Sequence, residues 1–222
     1  VSATPLSWSV ELPERHSTAL RPRARLRLCS ESHGEELISV PVRVGRGLRA
    51  LSDEGFAPSG RSELLHRLGE LTRSCAHARM EDLVGRRDYS RRELEERLLA
   101  DGYSRSVTDE VVSRACEVGI IDDLRYGAAF ARSKVASGWG RVKIERELSR
   151  RGVDASLVPG WPDEFLSADD ERERALALAS RRRLTGRNDY QKLVRFLCGR
   201  GFPLGLSSSV AREVLSAAAD GE

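Results

Sequence analysis

Three stretches of the chain repeat one pattern: SRRELEERLLADGY (90–103), GRVKIERELSRRGV (140–153) and DYQKLVRFLCGRGF (189–202). In register, Leu94, Ile144 and Leu193 correspond, then Leu98, Leu148 and Leu197, then Gly102, Gly152 and Gly201. Each glycine is followed by an apolar residue: Tyr103, Val153 or Phe202. Two apolar residues four apart seat one face of a helix on a core. The glycine ends that helix in a left-handed conformation that other residues enter at a cost, and the apolar residue behind it packs back on the last turn. Ser90 with Glu93 forms a capping-box pattern that starts the first of these helices near residue 91. The glycine spacing leaves room for three short helices per repeat, predicted at 71–86, 91–101 and 108–118; at 123–137, 141–151 and after Asp154; and at 170–183, 189–199 and 208–218. Such units stacked in series predict a mainly α fold, an elongated curved body of tandem three-helix repeats.

Composition agrees: Leu, Arg, Glu and Ala are abundant, and aromatic residues make up 5% of the chain, too few for a large buried sheet. The N-terminal part differs. Residues 1–22 mix Pro, Ser and Thr without a sustained period and are expected to be a mobile arm. Ala24, Leu26 and Leu28 alternate with arginines. After SESHGE, Ile38, Val40, Val42 and Val44 alternate again, which predicts a β-hairpin with Pro41 in an edge strand or bulge. Gly45, Gly47, Gly55, Pro58 and Gly60 are expected in loops. Leu64, Leu68, Leu71, Cys75 and Ala78 then mark a helix, with Gly69 a candidate break. The expected organisation is an arm (1–22), a small β-hairpin cap (23–61), a linking helix with repeat 1 (62–123), repeat 2 (124–165) and repeat 3 (166–222).

Net charge is only +3, but it is blocked: segment 81–123 leans acidic and segment 124–152 basic. Signed blocks suit a charged protein surface better than a long polyanion. Cys29, Cys75, Cys116 and Cys198 stand singly, without metal or redox spacing, and are expected to be buried, reduced thiols. No apolar run has the length of a membrane span, so a cytoplasmic protein is expected. His16, His33, His66 and His77 all precede the second and third repeats, and no phosphate loop, metal cluster or nucleophile elbow is present. The expectation is a protein without catalytic activity, cofactor or metal.

Candidate binding residues gather in the basic block. Lys143, Arg146 and Arg150 share one face of the helix predicted at 141–151, apart from Ile144 and Leu148. Arg132, Lys134, Arg141 and Arg151 flank them, and Trp139 sits in a Gly-rich turn where an aromatic can anchor a partner. Arg181, Arg182 and Arg183 are expected to close the first helix of repeat 3, where they also complement its dipole, and Lys192 extends the basic set. Each of these can equally be a solvated face. Asp122 and Asp123 read as the start of a helix rather than paired catalytic carboxylates, and Tyr126 with Phe130 as core.

The run GIIDDLRYGAAFARSKVASGWGRVKIERELSRRGV (119–153) resembles the signature of the RecX family, modulators of the RecA recombinase. The matching positions are Gly119, Asp122, Asp123, Arg125, Tyr126, Phe130, Gly138, Gly140, Ile144, Leu148 and Gly152. YSRRELEERLLADGY resembles the family's first repeat. The resemblance covers 70–153 strongly and 170–216 weakly. Arg141 stands where many members have proline, and VPGWPDE (158–164) should interrupt the third helix of repeat 2. The resemblance implies a protein that binds the RecA–DNA filament, with DNA contacts open, and lowers its ATPase, strand-exchange and co-protease activities in DNA repair, homologous recombination and the SOS response. A monomer is the default expectation for an elongated repeat body with polar end helices. Two alternatives stand beside it: an autonomous DNA-binding helical protein, and a helical scaffold for another partner.

Overall fold

A computed structural model of the chain describes residues 6–14, 22–30 and 34–219. Among these are nine α-helices and one three-stranded antiparallel sheet. The chain divides into two units, residues 1–121 and 122–222.

In the first unit, β1 (Ser7–Glu11), β2 (Ala24–Ser30) and β3 (Gly34–Val40) form a sheet in sequence order. The β2–β3 hairpin is the expected one, pairing Leu26 with Ile38 and Ala24 with Val40. The middle of its turn, residues 31–33, lies outside the described residues, as do 1–5 and 15–21 of the expected arm. Strand β1 corrects the arm over residues 7–11: Trp8 and Val10 turn inward while Ser7, Ser9 and Glu11 are exposed, a period of two.

The second correction falls at Pro41. It is the N-cap of α1 (Val42–Asp53), so Val42 and Val44 belong to a helix and not to the hairpin. A proline cannot continue the ladder, yet at a helix start its missing amide costs nothing. Gly45 and Gly47 lie within α1 rather than in a loop. A Cβ on Gly45 would fall 2.2 Å from the Cβ of Ala24, and one on Gly47 would fall 2.9 Å from Leu71. These glycines let α1 press against β2 and α2.

Helix α2 (Arg61–Val84) runs through Gly69 unbroken, and α3 (Arg91–Asp101) and α4 (Arg105–Glu117) complete repeat 1. The capping box at Ser90 is present: its hydroxyl accepts from the Glu93 amide at 3.2 Å and the Glu93 carboxylate accepts from the Ser90 amide at 3.4 Å. One continuous core joins the sheet, α1 and repeat 1, from Leu26 and Leu48 through Leu64 to Leu94, Leu98 and Val111.

The second unit holds α5 (Asp123–Ala136), α6 (Arg141–Arg150), α7 (Ala168–Ser180), α8 (Asp189–Arg200) and α9 (Leu204–Ala219). The third helix of repeat 2 shrinks to one 3-10 turn, Ala155–Leu157, followed by turns through Pro159, Gly160 and a cis Trp161–Pro162 bond. Val158 and Leu166 still reach the core of that repeat.

The repeat signature appears as expected. Gly102, Gly152 and Gly201 have φ of 104°, 78° and 97°. Leu94, Leu98, Ile144, Leu148, Leu193 and Leu197 are buried, and so are Tyr103, Val153 and Phe202. None of the four cysteines is in a disulfide, and none is fully buried: Cys75 and Cys116 are half-buried, while Cys29 and Cys198 are exposed because each sits on the outward side of its strand or helix. None of the helices is long and apolar enough to cross a membrane among the described residues.

Candidate partner-binding surface

Asp122 starts α5, its carboxylate accepting from the Leu124 and Arg125 amides at 2.9 and 3.0 Å, the expected N-cap. At the far end Gly138 turns with φ 78°, and the Trp139 amide donates to the Lys134 carbonyl at 3.0 Å. This turn brings Trp139 back beside α5. Tyr126 stacks on Phe130 with centroids 6.2 Å apart, and Phe130 meets Trp139 edge-on at 6.4 Å.

Cations cover these rings. The Lys143 ammonium lies 4.1 Å from the Trp139 centroid and that of Lys134 lies 5.2 Å away, while the Arg151 guanidinium lies 4.9 Å from Phe130. Arg132 stands 5.1 Å from the centroid of Phe165. Each such contact contributes about 0.5–1 kcal/mol at an exposed site. A ring quadrupole orients a cation without neutralising it. Lys134, Trp139, Lys143 and Arg151 are therefore brought together as one basic aromatic cluster whose lysine charges stay available to an anionic partner.

The remaining candidates divide. Arg146 is exposed, and neither it nor Arg132, Lys134 or Lys143 has a carboxylate in ion-pair range among the described residues. Arg141 pairs with Glu145 at 2.8 Å and Arg150 with Glu147 at 3.0 Å; Arg151 also approaches Glu147 at 3.7 Å. Glu145 additionally accepts from the Trp161 indole at 3.1 Å.

Of Arg181, Arg182 and Arg183, only the first closes α7. The helix ends at Ser180, Arg181 is its C-cap, and all three are exposed, with Arg182 over the Phe196 ring at 4.7 Å. Lys192 is occupied inside its own loop: its ammonium donates to Thr185 Oγ1 at 2.6 Å and the Arg187 carbonyl at 2.7 Å, and lies 3.4 Å from Asp189. Burial would raise the Asp189 carboxyl, but hydrogen bonds from the Thr185 hydroxyl, the Thr185 and Gly186 amides and Lys192 outweigh it and hold it below its ordinary value.

Two residues that position the cluster are hidden in the ordinary-looking run ADDERERA. Glu171, largely buried, accepts from the Arg141 amide at 2.8 Å, answering one orphan donor at the start of α6. Arg174 donates to the carbonyls of Val135 and Trp139 at 2.9 and 2.6 Å, fixing the turn that carries Trp139, and its burial pushes its guanidinium below the usual value. No local pattern distinguishes either from a solvated charge. No group of three His, Cys, Asp or Glu side chains among the described residues could hold a metal.

Comparison with known proteins bears on the same segments. Residues 76–114 match the family model for the first three-helix domain of RecX, and residues 122–158 that for the second. The chain is 33% identical over 126 residues to the regulatory protein RecX of Halorhodospira halophila, covering 54% of this chain and 76% of that one. It is 37% identical over 122 residues to RecX of Chromohalobacter salexigens, covering 54% and 80%, and 30% identical over 174 residues to RecX of Corynebacterium efficiens, covering 73% and 80%. Its fold is similar to the crystal structure of RecX from Lactobacillus salivarius (TM-score 0.55, 18% identity, 64% of this chain and 96% of that one). It is also similar to a second RecX crystal structure (TM-score 0.57, 17% identity, 96% and 98%). The sequence relatives are spanned over more than three quarters of their length, and the chain belongs to the RecX family of regulatory proteins.

Proposed function

We propose that this protein acts as a cytoplasmic monomer that binds the RecA–DNA filament and lowers its ATPase, strand-exchange and co-protease activities, so regulating recombinational repair and the SOS response. The contact face is the α5–α6 surface, with Lys134, Lys143, Arg132 and Arg146 supplying charge and Trp139 the anchor. The observation that carries this reading is the placement of Lys134 and Lys143 over the Trp139 ring with no carboxylate in range among the described residues. Pre-ordered cations lose little freedom on binding and can answer acidic side chains of a filament subunit, or phosphates of the DNA it carries.

The test is the single-stranded-DNA-dependent ATPase of RecA from the same organism, titrated with this protein at physiological salt. Inhibition below one molecule per RecA subunit is expected. The double variant Lys143→Glu/Arg146→Glu should weaken it about tenfold or more while leaving the unfolding midpoint in place. Undiminished inhibition by that variant would move the contact elsewhere. Absence of both inhibition and co-sedimentation with filaments would overturn the reading, and DNA binding without RecA would favour an autonomous DNA-binding protein.

A further inference from the structure

A cavity of about 770 Å³ in the first unit opens where α1 meets the ends of α2 and α3. Its lining carries Arg43 and Arg46 from α1, Arg79 from α2 and Arg97 from α3, against the single carboxylate of Asp101. Four guanidinium groups and one carboxylate leave three positive charges in excess, or two once Asp82, which pairs with Arg43, is counted. None of these residues contributes to the α5–α6 surface.

The arrangement is built rather than incidental. Asp101 accepts from Arg79 Nε at 2.7 Å and lies 3.7 Å from Arg97 Nε. Asp101 thus draws the Nε edges of both guanidinium groups to one place, Arg79 by a hydrogen bond and Arg97 by charge. Arg46, one turn after Arg43, is exposed and forms no ion pair among the described residues. Pro41 and Val42 also line the cavity, so the start of α1 faces it. That helix end has no side-chain cap and no acidic residue in its first turn, and adds its positive dipole end to the arginines.

Like charges gathered around a cavity repel one another, and a bound anion relieves that repulsion. Guanidinium forks match the oxygens of phosphate two at a time. A single phosphate is too small to meet arginines on three helices, whereas a cavity in the range of about 300–1,000 Å³ takes a whole small molecule. We infer that this pocket binds a small oligophosphate, of the class of pyrophosphate or a nucleoside triphosphate, through Arg43, Arg46, Arg79 and Arg97.

Isothermal titration of the full chain, without RecA or DNA, separates this site from the filament-binding face. Pyrophosphate and ATP should each bind at one site per chain, while adenosine should not. Arg46→Glu and Arg97→Gln should each weaken that binding about tenfold, the loss of one charge-assisted hydrogen-bonded pair, with the unfolding midpoint unchanged. Lys143→Glu should leave it unaltered. The inference fails if neither anion saturates the protein, if both arginine variants bind as the parent does, or if a short single-stranded oligonucleotide binds through these arginines while pyrophosphate and ATP do not.

Discussion

Gly140 and Gly201 touch through their backbones: a Cβ on Gly140 would fall 2.5 Å from the carbonyl carbon and oxygen of Gly201. Around this contact the Gly140 amide donates to the Arg200 carbonyl, and the Val142 amide to the Gly201 carbonyl, each at 3.0 Å. The glycine that ends the α8 helix of repeat 3 thus receives the helix start of repeat 2. Gly140→Ala should therefore destabilise the protein by about 1–3 kcal/mol, the cost of overpacking against unyielding backbone. Chemical denaturation measures it. An equal stability would mean that the two repeats part easily at this seam.

Glu171 supports the same seam from α7. Glu171→Ala, which leaves the Arg141 amide without its acceptor, should cost about 1–3 kcal/mol, whereas Glu171→Gln, which keeps an oxygen there, should cost distinctly less. Comparison of the two denaturation midpoints distinguishes acceptor from charge. Equal losses would assign the effect to the charge.

In the first unit, Ser90→Ala should cost about 1 kcal/mol through loss of the hydroxyl that caps α3, and Ser90→Asp should restore most of it. Thermal unfolding reads both. A neutral Ser90→Ala would show that tertiary packing alone holds the helix start.

Asp189 gives a pH dependence. Its carboxyl is held below its ordinary value in the folded chain, so its contribution is present above the unfolded value of about 4 and is lost as the pH falls through the lower folded value. Wild type should exceed Asp189→Asn in unfolding midpoint at neutral pH, and the difference should close in acid. A difference that persists unchanged at pH 2 would assign it to packing rather than ionisation.

The helical repeats were legible because each pairs two apolar residues at helical spacing with a glycine whose left-handed φ is forced. Those three constraints are local. The sheet was only partly legible. The alternation of Leu6, Trp8, Val10 and Leu12 lay in a segment rich in polar residues, and what made it a strand was its partner β2, remote in sequence. Val42 and Val44 continued the two-residue period of β3 by coincidence; Val44 with Leu48 is the helical pair that is buried. In the basic block, charge could be seen but pairing could not. Lys143 and Arg150 stand on one helix, yet one rests on an indole and the other is answered by Glu147. Lys192 folds back along the surface because the Thr185–Asp189 loop offers it three oxygens in reach, a geometry that composition does not encode.

The join between α6 and α8 is written in main-chain atoms, with amides on one side and carbonyls on the other. Such a join asks that two positions lack a side chain and that Glu171 and Arg174 keep their hold on the backbone beside it. Exposed residues away from those contacts can drift while the register between the two repeats persists. A protein assembled this way can re-tailor its outer face to a changing partner without reopening the question of how its own halves of that unit fit.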